Sequence, residues 1–338
     1  MTDTRARNAS LYVRTPNWLG DTVMALPALA ALRAGLPDAR ITVVGRWASL
    51  LRGQRVADVA LDYPRTSRAR RRLARALHAD PPDMAVLLPN SFEAALAAWR
   101  WGARRRIGFD TDGRRPLLSD RVPLPSPRRH QVDEYLLLVA SVGISASPAP
   151  PTFRPPADAP GEREVAELVA SLAIAPGARL IGLHAGAAGG SAKQWEVDGF
   201  ARLADRLAKS GLIPVLLGGP EDGARAAGIA AAARSAPLSL VGRDRPALLP
   251  HLLARLSCLV SGDTGVAHLA AALGTPTVTL FGPTDPRLTA PRSPSARVLT
   301  GLAPCAPCFL STCPIDHPCL RSVTARQVED LVLEAVGA

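Results

Sequence analysis

Leu11-Tyr12-Val13-Arg14-Thr15-Pro16-Asn17-Trp18-Leu19-Gly20-Asp21-Thr22 decides the fold. Its first four residues form a short apolar run that reads as a buried strand, and Thr15 to Thr22 reads as a loop whose glycine permits a tight turn. Beyond Asp21, Val23, Leu26, Leu29 and Leu32 recur every three residues, the buried stripe of a helix that Gly35 and Pro37 stop. Ile41 to Gly45 and Met84 to Leu88 are further strand-like runs, with stretches of helical length between them. Strand, loop, helix and strand in this order predict a parallel sheet covered by helices.

Near the middle the composition shifts to Ser147-Pro148-Ala149-Pro150-Pro151-Thr152-Phe153-Arg154-Pro155-Pro156-Ala157-Asp158-Ala159-Pro160. Such a stretch cannot continue a helix or a central strand. It divides the chain into an N-terminal Rossmann-like domain over 1–150, a linker over 151–160 and a C-terminal Rossmann-like domain over 161–338. Strand candidates restart at Leu180 to Leu183, Ile213 to Leu217, Leu259 to Ser261 and Thr277 to Phe281. Between the first two, Phe200, Leu203, Ala204 and Leu207 carry helical i, i+3, i+4, i+7 spacing. The expected class is α/β, with two doubly wound domains facing each other across a cleft. In such sheets ligands sit beyond the carboxyl ends of the strands.

Composition narrows the class of partner. The 338 residues are 47% hydrophobic, enough for one or two sizeable cores, and 40 Lys and Arg against 29 Asp and Glu give a formal charge of +11. That surplus favours phosphorylated or carboxylated partners and anionic membrane surfaces. Arginine is concentrated at Arg65, Arg68, Arg70, Arg71, Arg72 and Arg75, and again at Arg100, Arg104, Arg105, Arg106, Arg114 and Arg115. For any one of them a solvated face is the plainer reading. Met1 to Asn8 holds no apolar core of signal-peptide type, and every apolar stretch falls far short of the roughly 18 residues of a spanning helix, so a soluble cytoplasmic chain is expected. Cys305, Cys308, Cys313 and Cys319 lie within fifteen residues with His317 among them. Four thiols suffice for zinc or an iron-sulfur cluster. The spacing is not that of two separated Cys-x2-Cys pairs, and reduced thiols packing a Pro-rich loop are the other reading; no metal is assigned to the active site.

Four strand-end loops can carry chemistry. Asp21 is either the cap of the first helix or a base held rigidly at a strand end. The stretch from His184 to Trp195 is rich in glycine and alanine and contains Lys193, whose ammonium suits a departing diphosphate; the order Gly-x4-Gly-Lys-Ser/Thr of a P-loop is absent. Asp222, in Gly218-Gly219-Pro220-Glu221-Asp222, can accept hydrogen bonds from a ribose or simply favour a helix start. In Ser261-Gly262-Asp263-Thr264-Gly265-Val266-Ala267-His268, a helix beginning near Thr264 makes an anion site, with His268 four residues on along the same face.

With Arg14 to Asp21, Ala192-Lys193-Gln194-Trp195, Gly219-Pro220, Asp263 to His268 and Phe281-Gly282-Pro283-Thr284-Asp285-Pro286, the chain resembles the ADP-heptose:lipopolysaccharide heptosyltransferases of glycosyltransferase family nine. These five loops in the right order span most of the sequence. The resemblance implies a GT-B fold, ADP-heptose bound by the C-terminal domain, and a lipid-linked core oligosaccharide acceptor held mainly by the N-terminal one. It implies Asp21 as general base, Lys193 beside the diphosphate, and Asp263, Thr264, Gly265 and His268 as the nucleotide-sugar motif. Asp222 stands where some relatives have Glu beside the ribose. Gly186-Ala187-Ala188 is more similar to the heptosyltransferase II branch than to the first enzyme of the pathway, which tends to carry hydroxyl residues there. No cofactor is implied. The N-terminal arginines are then expected to meet acidic groups of the acceptor or the inner leaflet, with peripheral contact on its cytoplasmic face.

Two other classes fit single features. A nucleic-acid-binding protein would use the positive charge, yet aromatics are only 4% and no RNP, zinc-finger or helix-turn-helix signature is present, so no nucleic-acid partner is expected. A dinucleotide-dependent oxidoreductase would use the Rossmann pattern, yet no Gly-x-Gly-x-x-Gly follows the first strand.

Overall fold

The computed structural model describes residues 9–155, 157, 159–175, 177–243 and 245–337. Met1 to Asn8, read above for its lack of an export-type segment, lies outside the described residues, as do 156 and 158 of the Pro-rich stretch. The chain divides into two units, Met1–Thr152 and Phe153–Ala338.

The first unit carries strands β1 (Ser10–Arg14), β2 (Arg40–Gly45), β3 (Val59–Asp62), β4 (Met84–Leu87), β5 (Arg105–Phe109) and β6 (Asp120–Val122). Its helices are α1 (Leu19–Met24), α2 (Leu26–Gly35), α3 (Ser67–His78), α4 (Phe92–Arg100) and α5 (Gln131–Ala140). The second unit carries β7 (Leu180–His184), β8 (Ile213–Leu217), β9 (Leu238–Ser239), β10 (Cys258–Gly262), β11 (Thr277–Phe281) and β12 (Ala296–Thr300). Around them lie α6 (Ala159–Ala170), α7 (Val197–Lys209), α8 (Gly223–Ala232), α9 (Leu249–Ala254), α10 (Gly265–Leu273), α11 (Pro286–Thr289), α12 (Pro318–Arg321) and α13 (Ala325–Val336).

The strand orders are β3-β2-β1-β4-β5-β6 and β12-β11-β10-β7-β8-β9. Read in chain order within its own unit, the second is the first repeated. Pairing is parallel throughout, for example Val13 opposite Val43 and Val86, and Val260 opposite Val278 and Leu183. Parallel strands covered on both faces need continuous apolar side chains, and Val13, Val43, Val86, Leu183, Val260 and Val278 are all inaccessible to solvent. Winding reverses between β1 and β4 in one unit and between β7 and β10 in the other, which opens a crevice at the carboxyl end of each sheet.

The helices follow the apolar spacing with two corrections. Val23, Leu26, Leu29 and Leu32 are all buried, but the helix expected to run from Asp21 to Gly35 breaks at Ala25 into α1 and α2. Pro27 has no N–H for the Val23 carbonyl, so the ladder is interrupted there. The linker expected over 151–160 is shorter, because α6 begins at Ala159 and takes Pro160 into its first turn, where proline's missing N–H costs nothing. On α7, Phe200, Leu203, Ala204 and Leu207 are buried as one stripe, and the Phe200 ring meets Trp195 edge to face with centroids 5.0 Å apart. No helix among the described residues is long and apolar enough to cross a membrane.

Phe200 anchors the core of the second unit, so Phe200→Ala should destabilise by about 3–5 kcal/mol. A urea midpoint unchanged from the parent would contradict that packing.

Candidate active site

Lys193 lies at the end of a short 3-10 turn, Ser191–Lys193, in the loop that follows β7. Its Nζ donates to Asp263 Oδ2 at 2.6 Å, and Thr284 Oγ1 donates to the same oxygen at 2.8 Å. Asp263 follows β10 and is buried, whereas Lys193 is partly exposed, so the pair presents its cation toward solvent and keeps its anion inside. Seventy residues separate the partners in sequence, and they meet because β7 and β10 are neighbours with diverging connections. Gly262 packs against the Lys193 carbonyl oxygen, 2.8 Å from where a Cβ would sit, so a side chain there would push the lysine loop away.

Thr264 is the N-cap residue of α10 in extended conformation, and Gly265 is its first helical residue. The Thr264 hydroxyl bonds Ser261 Oγ at 2.8 Å instead of capping the helix, and Ser261 Oγ also meets His184 Nδ1 at 3.3 Å. The first amides of α10 therefore remain available to an anion. His268 lies one turn along, buried on α10. Burial pushes the His184 imidazole down to about 4, against the opposing charge of Glu221. Asp222 accepts the Gly219 N–H at 3.1 Å and packs against Gly186. Burial, then the neighbouring Glu221 charge, raises its carboxyl above the ordinary range despite that hydrogen bond. Lys193, Asp222, Asp263, Thr264, Gly265 and His268 thus all belong to the strand-end loops of β7, β8 and β10 or the helix that follows.

Asp21 belongs to the corresponding corner of the first unit. The N-cap of α1 is Trp18, so Asp21 sits in the first helical turn and is not the cap. It is half-buried, and its charge is among the causes, after burial, that raise the Tyr135 phenol on α5. The preceding loop is fastened by Arg14, which is fully buried at the end of β1. Arg14 donates to the Thr15 carbonyl and to Asn17 Oδ1 at 2.8 Å, and its guanidinium lies 4.0 Å from the Tyr63 ring centroid. Desolvation lowers its pKa to about 10, which leaves it a cation at neutral pH. Arg70 approaches the same ring, and Tyr63 donates its hydroxyl proton to Glu93.

The arginine clusters divide. Arg68, Arg71, Arg72 and Arg75 are exposed on α3, but Arg114, counted above among the acceptor-facing cations, is fully buried and donates to the Phe109 and Pro89 carbonyls. The five cysteines are unbridged, and no group of three or more His, Cys, Asp or Glu among the described residues is arranged to hold a metal ion. Sequence reasoning did not single out Thr284, His184 or Arg14 as functional. Thr284 and Arg14 stand inside quoted motifs, and His184 ends a predicted strand, so position alone was the available signal.

Residues 70–318 match glycosyltransferase family 9 (heptosyltransferase). The chain belongs to this family. It is 32% identical over 303 residues to lipopolysaccharide heptosyltransferase 2 of Salmonella typhimurium, covering 86% of this chain and 87% of that one. The solved structure of ADP-heptose lps heptosyltransferase II from E. coli superposes with a TM-score of 0.81 at 27% identity, covering 97% of this chain and 98% of that one. A family 9 glycosyltransferase from Veillonella parvula gives 0.86 at 22% identity, covering 96% and 98%, and bears on the fold alone. The α/β architecture of two parallel six-stranded sheets is thus of the GT-B type. The chain is a glycosyltransferase, and the nucleic-acid-binding and oxidoreductase readings are not favoured.

The unfolded chain binds a proton at His184 near pH 6.5 and the folded chain only near 4, so stability falls as pH drops through that window. His184→Gln should flatten the decline between pH 7 and pH 5, by up to about 1.4 kcal/mol per pH unit. Parallel stability curves for parent and variant would show that His184 is not buried as a neutral imidazole.

Proposed function

We propose that this chain transfers heptose from ADP-heptose to a lipopolysaccharide inner-core acceptor in one inverting displacement. The observation that carries the reading is the Lys193–Asp263 pair beside the open start of α10, on a chain of the heptosyltransferase family. The Salmonella relative's name supports heptose transfer and the acceptor class, the E. coli structure supports the ADP-heptose donor, and likeness to the heptosyltransferase 2 group supports that branch. The second unit holds the donor and the first holds the acceptor.

In the reaction, an Asp21 carboxylate oxygen takes the proton from an acceptor hydroxyl as that oxygen attacks the anomeric carbon. The bond from that carbon to the ADP phosphate oxygen breaks, and ADP leaves with the electron pair. Lys193 and the first amides of α10 stabilise the charge that develops on the phosphate, a preorganised arrangement that needs no reorientation as the bond breaks. His268 supports the helix start, and Asp222 meets the ribose. Asp21 suits the role of base because its position in the first turn of α1 leaves it out of the cap and its loop is fixed by Arg14.

ADP release with ADP-heptose and a panel of truncated core acceptors tests this. Asp21→Asn should lower kcat by about 10²–10⁴ with little change in ADP affinity. Lys193→Ala should lower both kcat and ADP affinity. Full turnover by the Asp21 variant would remove the base, and no turnover by the parent with any acceptor would remove the activity.

The same reading includes peripheral contact with an anionic bilayer. Arg68, Arg71, Arg72 and Arg75 are exposed on α3, and Trp99 is exposed on the neighbouring α4, the pairing of cation and interfacial aromatic that suits a headgroup layer. Sedimentation with phosphatidylserine vesicles should exceed that with phosphatidylcholine, and Arg71→Glu with Arg72→Glu should weaken it by about 1 kcal/mol or more per residue. Equal sedimentation with both vesicle types would exclude the contact.

A further inference from the structure

The segment between β12 and α12 holds three of the four clustered cysteines, Cys305, Cys308 and Cys313, and Cys319 follows in α12. The segment has an unusual backbone: Phe309, Asp316 and His317 all adopt positive φ, at 57°, 60° and 55°, half of the six such non-glycine residues described. Conformations of this kind persist only where the surroundings over-determine them. Here the surroundings are two of the three loops that carry the Lys193–Asp263–Thr284 cluster, those of Lys193 and Thr284.

On one side, the Ser311 carbonyl accepts the Ala192 N–H at 3.0 Å, and His317 Nε2 donates to the Ser191 carbonyl at 3.1 Å. Both residues immediately before Lys193 are therefore tied to this segment. Gly190 has φ 117° and lies so close to the Ser311 carbonyl that no Cβ fits. On the other side, the Cys308 and Phe309 amides donate to the Pro283 carbonyl at 3.0 and 2.7 Å, next to Thr284. Cys313 Sγ accepts the His317 N–H at 3.2 Å, and Arg321 pairs with the adjacent Asp316 at 2.6 Å.

We infer that the 308–317 segment is a clamp that sets the position of the Lys193 ammonium, with His317 as its positioning residue. The inference rests on the donor-site reading of Lys193 given above. His317 has no direct part in the chemistry. It fixes the Ser191 carbonyl, and through one turn of 3-10 backbone it fixes where Lys193 can reach. Without that bond the lysine keeps its charge but samples more positions, and an anion gains less from it.

A double-mutant cycle on ADP binding, measured by titration calorimetry with the full chain, separates positioning from general support. His317→Ala should weaken ADP binding roughly tenfold, about the loss of one ordinary hydrogen bond. His317→Gln, whose amide reaches about as far as Nε2, should recover most of that loss. In the Lys193→Ala background, His317→Ala should change ADP affinity no further. Equal losses with and without Lys193 would overturn the clamp while leaving the donor reading intact. Absence of ADP binding by the parent chain would overturn the donor reading and the clamp with it. Melting curves on each variant identify any that fails to fold, and His317→Gln then carries the comparison.

Discussion

Parallel strands constrain everything that follows. Each must be joined to the next by a crossover, and where the crossovers from two adjacent strands leave in opposite directions, nothing can cover the gap between their carboxyl ends. This chain meets that condition twice, at β1 and β4 and at β7 and β10. The residues of chemical interest fall at those points. Asp21 follows β1, Lys193 follows β7 and Asp263 follows β10. The short Lys193–Asp263 contact follows from this, because β7 and β10 are neighbours and their carboxyl ends lie side by side.

Central strands and the helices against them were legible because burial on both faces demands uninterrupted apolar runs. Val13, Val43, Leu183 and Val260 meet that demand, and the runs containing them were recognised. The edge strands β3, β6, β9 and β12 were not, since each is partly exposed and free to be short or polar. β5 escaped for another reason: it opens with Arg105 and Arg106, whose side chains reach out to Asp120 and to the Leu117 and Ala103 carbonyls. Pro27 and Pro160 show periodicity and proline competing in opposite senses. The first interrupts a stripe that continues past it, and the second enters a helix from a stretch that looked wholly unstructured.

Loop chemistry was legible in identity but not in partnership. Lys193 and Asp263 stood out as a cation and an anion at strand ends, yet nothing local tells that they share a hydrogen bond or that Thr284 joins them. Composition was least informative for arginine. Arg14 and Arg114 are as deeply buried as the core leucines, one stacked on Tyr63 and one satisfied by backbone carbonyls, while Arg71 and Arg72 on α3 stand in solvent. A count of positive charges treats all four alike, and only their surroundings show which can meet an external anion.

The boundary between Thr152 and Phe153 leaves both sheets whole, since each is assembled from strands on one side of it. A recombination junction placed there severs neither six-stranded sheet and leaves the apolar clusters around Phe200 and around Trp101 each on its own side. Exchange of gene halves among relatives at that point moves a whole sheet together with its strand-end loops, a route to new pairings of specificity that a junction inside either sheet would close.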